Sequence, residues 1–287
     1  MILDIIIPIY NKDKQIVNYY NKINEELKNI KHNFIFIDNS STDKSFQVLK
    51  ELYKTDETNI KVIGLSKSVD KDTLIYAGIK NSSHDLICIF DLDLQANVSH
   101  ITKMYEFLNS HPLYDQVCMC TNIELSGIHK LKINLFNKKF NMNVDLNKTY
   151  FRIFRKNIKD AIIEYTNYYK FSKYVFEDIG YNTYYSKFDC KNNIEEFCIN
   201  KYLPYVKCPL KHLKNIIYLL LASSFILIFL TIFKVLNLSN NILVIILLLL
   251  VSLIIKIELF MNNYLIKKDR KNIYLIKDKL GFDENVL

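Results

Sequence analysis

Two carboxylates stand where an apolar run breaks off: residues 86–90 are followed by Asp91-Leu-Asp93-Leu-Gln95. A strand points alternate residues to one side, so acids at i and i+2 can face a single ion where the strand leaves a sheet. Hard oxygen ligands at that spacing suit Mg²⁺ or Mn²⁺, and the natural third party at such an ion is a diphosphate. Asp38 closes a second expected strand, residues 33–37, in the same manner. The six cysteines, at 88, 118, 120, 190, 198 and 208, include no C-x-x-C pair. They read as reduced packing residues, and no zinc site is expected.

Positioning these acids takes a regular scaffold. Along residues 1–125, short runs rich in isoleucine and valine alternate with stretches of helical period. The pattern predicts strands at 2–9, 33–37, 60–65, 85–90 and 116–120, and helices at 14–30, 42–53, 72–81 and 99–110. Such a βαβ series implies an α/β fold, a mostly parallel sheet with helices on both faces. Ligands on such sheets bind at the carboxyl ends of the strands, where Asp38, Asp91 and Asp93 fall. The five glycines, at 64, 78, 127, 180 and 281, form neither G-x-G-x-x-G nor a phosphate loop. A pyrophosphate must then be held by metal and side chains, which favours an enzyme using a nucleotide-sugar over an oxidoreductase or nucleotidase.

The chain has 287 residues, half of them hydrophobic, and a formal net charge of +8. That allows one domain of about 200 residues and a second part. Residues 216–233 carry no charge, and the apolar run resumes over 242–255. At 1.5 Å per residue the first reaches about 27 Å, and the second does so if it continues to Met261. Two transmembrane helices are expected. Lys207, Lys211 and Lys214 precede the hairpin and Lys267, Lys268, Arg270 and Lys271 follow it, so both termini are expected in the cytoplasm, with the protein integral to the cell's inner membrane. Asp4 interrupts the apolar start and no basic region precedes it, so residues 1–8 do not read as a signal sequence. Residues 127–145 mix Lys130, Lys132, Lys138 and Lys139 with Leu131, Leu135, Phe136 and Phe140, the make-up of a helix lying in the headgroup layer. The expected organisation is a catalytic domain at 1–125, an acceptor-handling and membrane-interface segment at 126–214, two transmembrane helices at 215–261 and a basic cytoplasmic tail at 262–287.

Several short motifs follow one another in a specific order. Ile7-Pro8-Ile9-Tyr10-Asn11 is similar to V-P-x-Y-N-E, and Phe36-Ile37-Asp38-Asn39-Ser40-Ser41-Thr42-Asp43 to V-D-D-G-S-x-D. Ser66-Lys67 with Lys71 and Tyr76-Ala77-Gly78 is similar to S-R-N-x-G-K-x-x-A-x-x-A-G, and Asp91-Leu-Asp93-Leu-Gln95 to D-x-D-L-Q. Phe151-Arg152-Ile-Phe-Arg155-Lys156 is similar to F-R-L-Y-R-K, and Lys207-Cys-Pro209-Leu210-Lys211 to S-K-Y-P-L-K. Together they resemble the membrane-associated family 2 glycosyltransferases that charge polyprenyl phosphates, such as bactoprenol glucosyltransferase and dolichyl-phosphate mannose synthase. The chain departs from the pattern at Lys12 for Glu, at Asn39 and Ser40 for Asp-Gly, at Asn97-Val98-Ser99 for P-P-E, and at Tyr150 for an acid.

The resemblance implies a GT-A (Rossmann-like) domain and a nucleotide-sugar site formed by Pro8, Tyr10, Asn11, Asp38, Lys71, Asp91 and Gln95. It implies Mg²⁺ or Mn²⁺ on Asp91 and Asp93, with Asp91, Asp93 and Arg152 as the catalytic group. A lipid phosphate is already largely dianionic at neutral pH and needs its charge tolerated rather than a strong base. Arg152, Lys201 and Lys207 are the candidates to hold it, with Lys256, near the cytoplasmic end of the second apolar run, a further one. The expected reaction is inverting transfer of one hexose, UDP-glucose being the first choice of donor, to undecaprenyl phosphate. Mannose or another sugar, or a non-catalytic membrane-anchored paralogue, are the alternatives, and relatives of the bactoprenol type form homo-oligomers. A processive polysaccharide synthase is excluded, because its Q-x-x-R-W motif needs the tryptophan this chain lacks. Nucleic acid is not the expected partner, since the basic residues sit beside the apolar runs rather than in an aromatic-studded groove.

Overall fold

The structure, a computed structural model, describes residues 1–122, 127–140, 144–166, 171–188, 251–253 and 274–282. Among them no helix is long and apolar enough to cross a membrane. The expected spans at 216–233 and 242–261 lie outside them except for residues 251–253, which are helical, and so do Lys201, Lys207 and Lys256. The chain divides into one compact unit of residues 1–135, 143–197 and 271–287, and another of residues 136–142 and 198–270.

Strands and helices alternate through the first unit. They run β1 (Leu3–Ile9), α1 (Ile16–Glu26), β2 (His32–Asp38), α2 (Ser45–Thr55), β3 (Ile60–Leu65), α3 (Lys71–Asn81), β4 (Leu86–Ile89), α4 (Ser99–Ser110) and β5 (Gln116–Thr121). After α5 (Gly127–Phe140) come β6 (Lys148–Arg155), α6 (Lys156–Thr166), the single turn α7 (Val175–Asp178), β7 (Thr183–Phe188) and β8 (Ile276–Leu280). The strands form one sheet in the order β7-β5-β6-β4-β1-β2-β3-β8.

The apolar make-up of β1, broken only at Asp4, has a physical reason. Its alternate residues enter two cores, Leu3, Ile5, Ile7 and Ile9 meeting α1, α2 and α4 on one face while Ile6 meets α3 on the other, and the one buried acid, Asp4, is kept there by accepting from Ser83 N–H at 2.7 Å and His84 N–H at 3.0 Å. On the second face α3 lies directly against the sheet. A β-carbon at Gly78 would sit 2.4 Å from Ile6 and 2.6 Å from Ile37, so only hydrogen fits there.

The sheet is mixed. β1 pairs in parallel with β2 and β4, β2 with β3, and β5 with β7, whereas β6 runs antiparallel to both β4 and β5, and β8 antiparallel to β3. It also draws on residues beyond 125: β6 and β7 come from the stretch expected to handle the acceptor, and β8 from the expected tail.

Candidate active site

β1, β2, β3 and β4 release the chain at one edge of the sheet, and the four loops that follow them build a single cavity. Three non-glycine residues in these loops adopt left-handed backbone: Asn11 (φ 52), Ser40 (φ 56) and Gln95 (φ 48). Left-handed backbone costs a non-glycine residue about 1 kcal/mol or more, so these turns are held by their surroundings. The holding bonds are visible. Asn11 N–H donates to Ser41 Oγ at 3.0 Å, Thr42 N–H donates to Asn11 Oδ1 at 2.9 Å, and Lys12 N–H donates to Ser45 Oγ at 2.7 Å, fastening the β1 loop to the β2 loop and the start of α2. Asn39 does the same toward β3, its Nδ2 donating to Val69 O at 2.9 Å and its Oδ1 accepting from Val69 N–H at 2.8 Å. A carboxylate there lacks the donor for the first of these bonds.

The cavity has a volume of about 450 Å³, and Pro8, Tyr10, Lys12, Asn39, Lys71 and Asp93 are among the residues that line it. After β4 the chain makes one 3₁₀ turn, Leu92–Leu94, capped by Asp91, whose Oδ1 accepts from Asp93 N–H at 3.1 Å. That use of one oxygen leaves Asp91 Oδ2 for the ammonium of Lys71, 2.6 Å away. Lys71 is the first residue of α3, a helix whose cap Asp70 accepts from Thr73 N–H at 2.9 Å. The same ammonium lies 3.0 Å from Asp93 Oδ2, and Lys12 Nζ lies 3.0 Å from Asp93 Oδ1.

Electrostatics follow from this arrangement. Burial works against the charge on Lys71, but Asp91 and then Asp93 outweigh it and hold the ammonium above its ordinary range. For Asp93, burial pushes the carboxyl up, yet Lys71 and Lys12 bring it below the usual carboxylate range. Asp38, behind Asn39, is different. Burial raises its carboxyl in spite of the Ser41 hydrogen bonds, and its Oδ1 has no hydrogen-bond partner among the described residues.

Two carboxylates that converge on one ammonium can converge on a metal ion instead. Among the described residues no third His, Cys, Asp or Glu joins them. The donor set is therefore all oxygen and incomplete, which fits Mg²⁺ or Mn²⁺ completing its shell with water and diphosphate.

Of the expected site residues, the structure thus brings Pro8, Tyr10, Lys71 and Asp93 to the cavity wall, with Asp91 in contact through Lys71. Asn11 and Gln95 shape its loops, and Asp38 stands behind it. Lys12 and Asn39, read from sequence only as departures from a motif, turn out to line it. The signal for Lys12 was its place in the loop after β1, at the carboxyl edge that carries the acids.

Arg152 is not brought there. It is fully buried in β6, opposite Ile89 of β4, with Nη2 donating to Thr149 O at 2.8 Å and the guanidinium 3.9 Å from the centre of the Phe176 ring. In this structure Arg152 packs the sheet against α7 instead of facing solvent where a phosphate could meet it. Its neighbours include a second set of charges that the sequence did not reveal: Lys148 Nζ lies 2.8 Å from Glu177 Oε2 and 3.1 Å from the hydroxyl of Tyr185, which also donates to Glu177. Tyr150 is buried too, its hydroxyl accepting from Lys173 N–H at 3.1 Å.

The profile of glycosyl transferase family 2 matches residues 4–165 of the chain. Dolichol-phosphate mannosyltransferase of Pyrococcus furiosus is 26% identical over 110 residues, which are 38% of this chain and 31% of that one. The prophage bactoprenol glucosyl transferase homolog of Escherichia coli is 24% identical over 108 residues, 37% of this chain and 35% of the other. The chain thus spans about a third of the length of these curated relatives. Among solved structures, glucosyl-3-phosphoglycerate synthase from Mycobacterium tuberculosis, in complex with Mn²⁺, UDP and glucosyl-3-phosphoglycerate, is similar with a TM-score of 0.49 and 10% identity, over 69% of this chain and 74% of that one.

Proposed function

Since the chain belongs to glycosyl transferase family 2, whose profile covers more than half of it, we propose that it transfers one hexose from a nucleotide-sugar to a polyprenyl phosphate, with inversion at the anomeric carbon. UDP-glucose and undecaprenyl phosphate are the first choices. The observation that carries the reading is the convergence of Asp91 and Asp93 on one positive charge, at the wall of a cavity of about 450 Å³ on the carboxyl edge of the sheet. The names of two relatives, a dolichol-phosphate mannosyltransferase and a bactoprenol glucosyl transferase homolog, support a lipid phosphate acceptor.

In the reaction a phosphate oxygen of the acceptor attacks the anomeric carbon while the bond to the donor diphosphate breaks and its electrons leave with the nucleoside diphosphate. Asp91 and Asp93 would hold the divalent ion, which when bound acts as a Lewis acid on the departing diphosphate. Lys71 meets both carboxylates, so its ammonium stands beside the place where that charge would form. Pro8, Tyr10 and Asn39 wall the cavity for the rest of the donor. The acceptor needs no strong general base, being a phosphate already ionised at neutral pH.

A cytoplasmic catalytic unit on a membrane hairpin belongs to the same proposal. β7 ends at Phe188 and β8 begins at Ile276 in one sheet, so a membrane segment between them has to leave and return on the same side, which favours an even number of crossings. On α5, Leu131 and Leu135 are 60% and 59% exposed and share a face at i, i+4, with Lys130 and Lys138 exposed beside them. That face suits the headgroup layer. The test is the purified protein with undecaprenyl phosphate and radiolabelled UDP-glucose or GDP-mannose, with and without EDTA. A lipid-linked product from UDP-glucose is expected. Product from GDP-mannose alone would reassign the donor, and no product from either would favour a non-catalytic paralogue.

A further inference from the structure

We propose that Lys12 and Lys71 are a resident cationic pair that binds the donor's diphosphate directly, so that the nucleotide is held even without a divalent ion. The inference rests on the donor reading above and adds Lys12 to the residues that touch the donor. Both ammonium groups lie at the wall of the same cavity, Lys71 between Asp91 and Asp93 and Lys12 on the far oxygen of Asp93. Two positive charges thus balance two negative ones before any ligand enters.

Stability does not account for this doubling. The Asp93 side chain is 58% exposed, and exposed ion pairs contribute little to the folded state. What the doubling does change is the reception of an anion. A site of two bare carboxylates repels a diphosphate unless a metal comes first, whereas a site with its charge already balanced does not. Each ammonium has three donors and can keep a carboxylate while giving another hydrogen bond to a phosphate oxygen. Side-chain exposures of 25% for Lys12 and 39% for Lys71 leave both stems room to turn. The backbone of Lys12 is fixed meanwhile by its bond to Ser45, so the charge stays at the cavity mouth while its stem moves.

The experiment is calorimetric titration of the full-length protein in detergent with UDP and with GDP, once in EDTA and once in Mn²⁺. At least one nucleotide should bind in EDTA within about tenfold of its affinity in Mn²⁺. Lys12→Met should weaken binding in EDTA about tenfold, as for the loss of one charge-assisted contact, but less than about threefold in Mn²⁺, where the ion supplies the missing charge. Lys12→Arg should restore it. Near-normal binding of the Met variant in Mn²⁺ also reports that it is folded. Binding of the wild type in Mn²⁺ but not in EDTA overturns this inference and leaves the donor reading standing. Binding in neither buffer overturns both, and an equal loss in both buffers for Lys12→Met makes the residue a prop of its loop and overturns the inference alone.

Discussion

Charge is used in opposite ways on the two halves of the sheet. Where β1–β4 end, Lys12, Lys71, Asp91 and Asp93 form a chain of ion pairs with three of the four side chains at least a quarter exposed. Around β5, β6 and β7, Arg152 is fully buried and the pair Lys148–Glu177 is nearly so. Open pairs exchange partners readily, because water and salt compensate each charge as it moves. Buried ones do not, since breaking one leaves a desolvated charge behind. The first arrangement suits a site that must admit and release a charged ligand, and the second suits a joint that has to stay closed.

The largest test of this contrast is Asp91→Asn or Asp93→Asn. Either should lower transfer by at least about a hundredfold, the scale of a lost electrostatic contact in a transition state, with only a small change in melting temperature. Cooperative unfolding at much lower temperature would place these acids among the structural charges and break the comparison.

Arg152→Met should do the reverse. Removing the guanidinium leaves the buried Gln116 Oε1, now 3.4 Å from Nη1, without that donor, at a cost of about 2 kcal/mol seen in denaturant unfolding. The acceptor KM of the remaining folded protein should stay as it was. A raised acceptor KM with unchanged stability would return Arg152 to the phosphate.

Legibility in the sequence divides along the same line. The strands through residue 121 were expected within two residues of where they lie, because β1–β5 are buried on both faces and write themselves as apolar runs. The acids were legible because such runs end in them. β6 was not foreseen as a strand: Lys148-Thr-Tyr-Phe-Arg-Ile-Phe-Arg places charged residues at buried positions, and a charge is ordinarily assigned to solvent. β8, Ile276-Lys-Asp-Lys-Leu, is a polar edge strand with no apolar run to announce it. Lys12 was visible as a departure from a motif, but its ion pair with Asp93 joins residues 81 positions apart, beyond the reach of spacing arguments.

A smaller effect is expected of α5. Leu131→Asp combined with Leu135→Asp removes the exposed apolar face, and in vesicles carrying the reconstituted protein α5 should be cut by protease about tenfold faster if that face enters the headgroup layer. An unchanged cutting rate would make it an ordinary surface helix. The smallest effect concerns β8. Ser66 N–H donates to Leu275 O at 2.9 Å, just before the Ser68–Lys71 stretch at the cavity wall. Lys279→Pro, which disrupts the pairing of β8 with Ile63, should weaken nucleotide binding about threefold by loosening that stretch. No change would mean that the β3 edge holds the loop unaided.

β8 also sets an order in time. β3 lies at position 60–65 and its outer neighbour at 276–280, so at 5–20 residues per second the ribosome needs about 10–40 s to supply the partner. For that interval the growing chain carries a sheet open at β3, whose outer edge is exposed to any other strand. Nascent chains arrested before residue 270 should therefore be cut by protease within β3, and finished chains should not. The nucleotide pocket, whose wall continues from that strand, reaches its final form only as the last described segment is made.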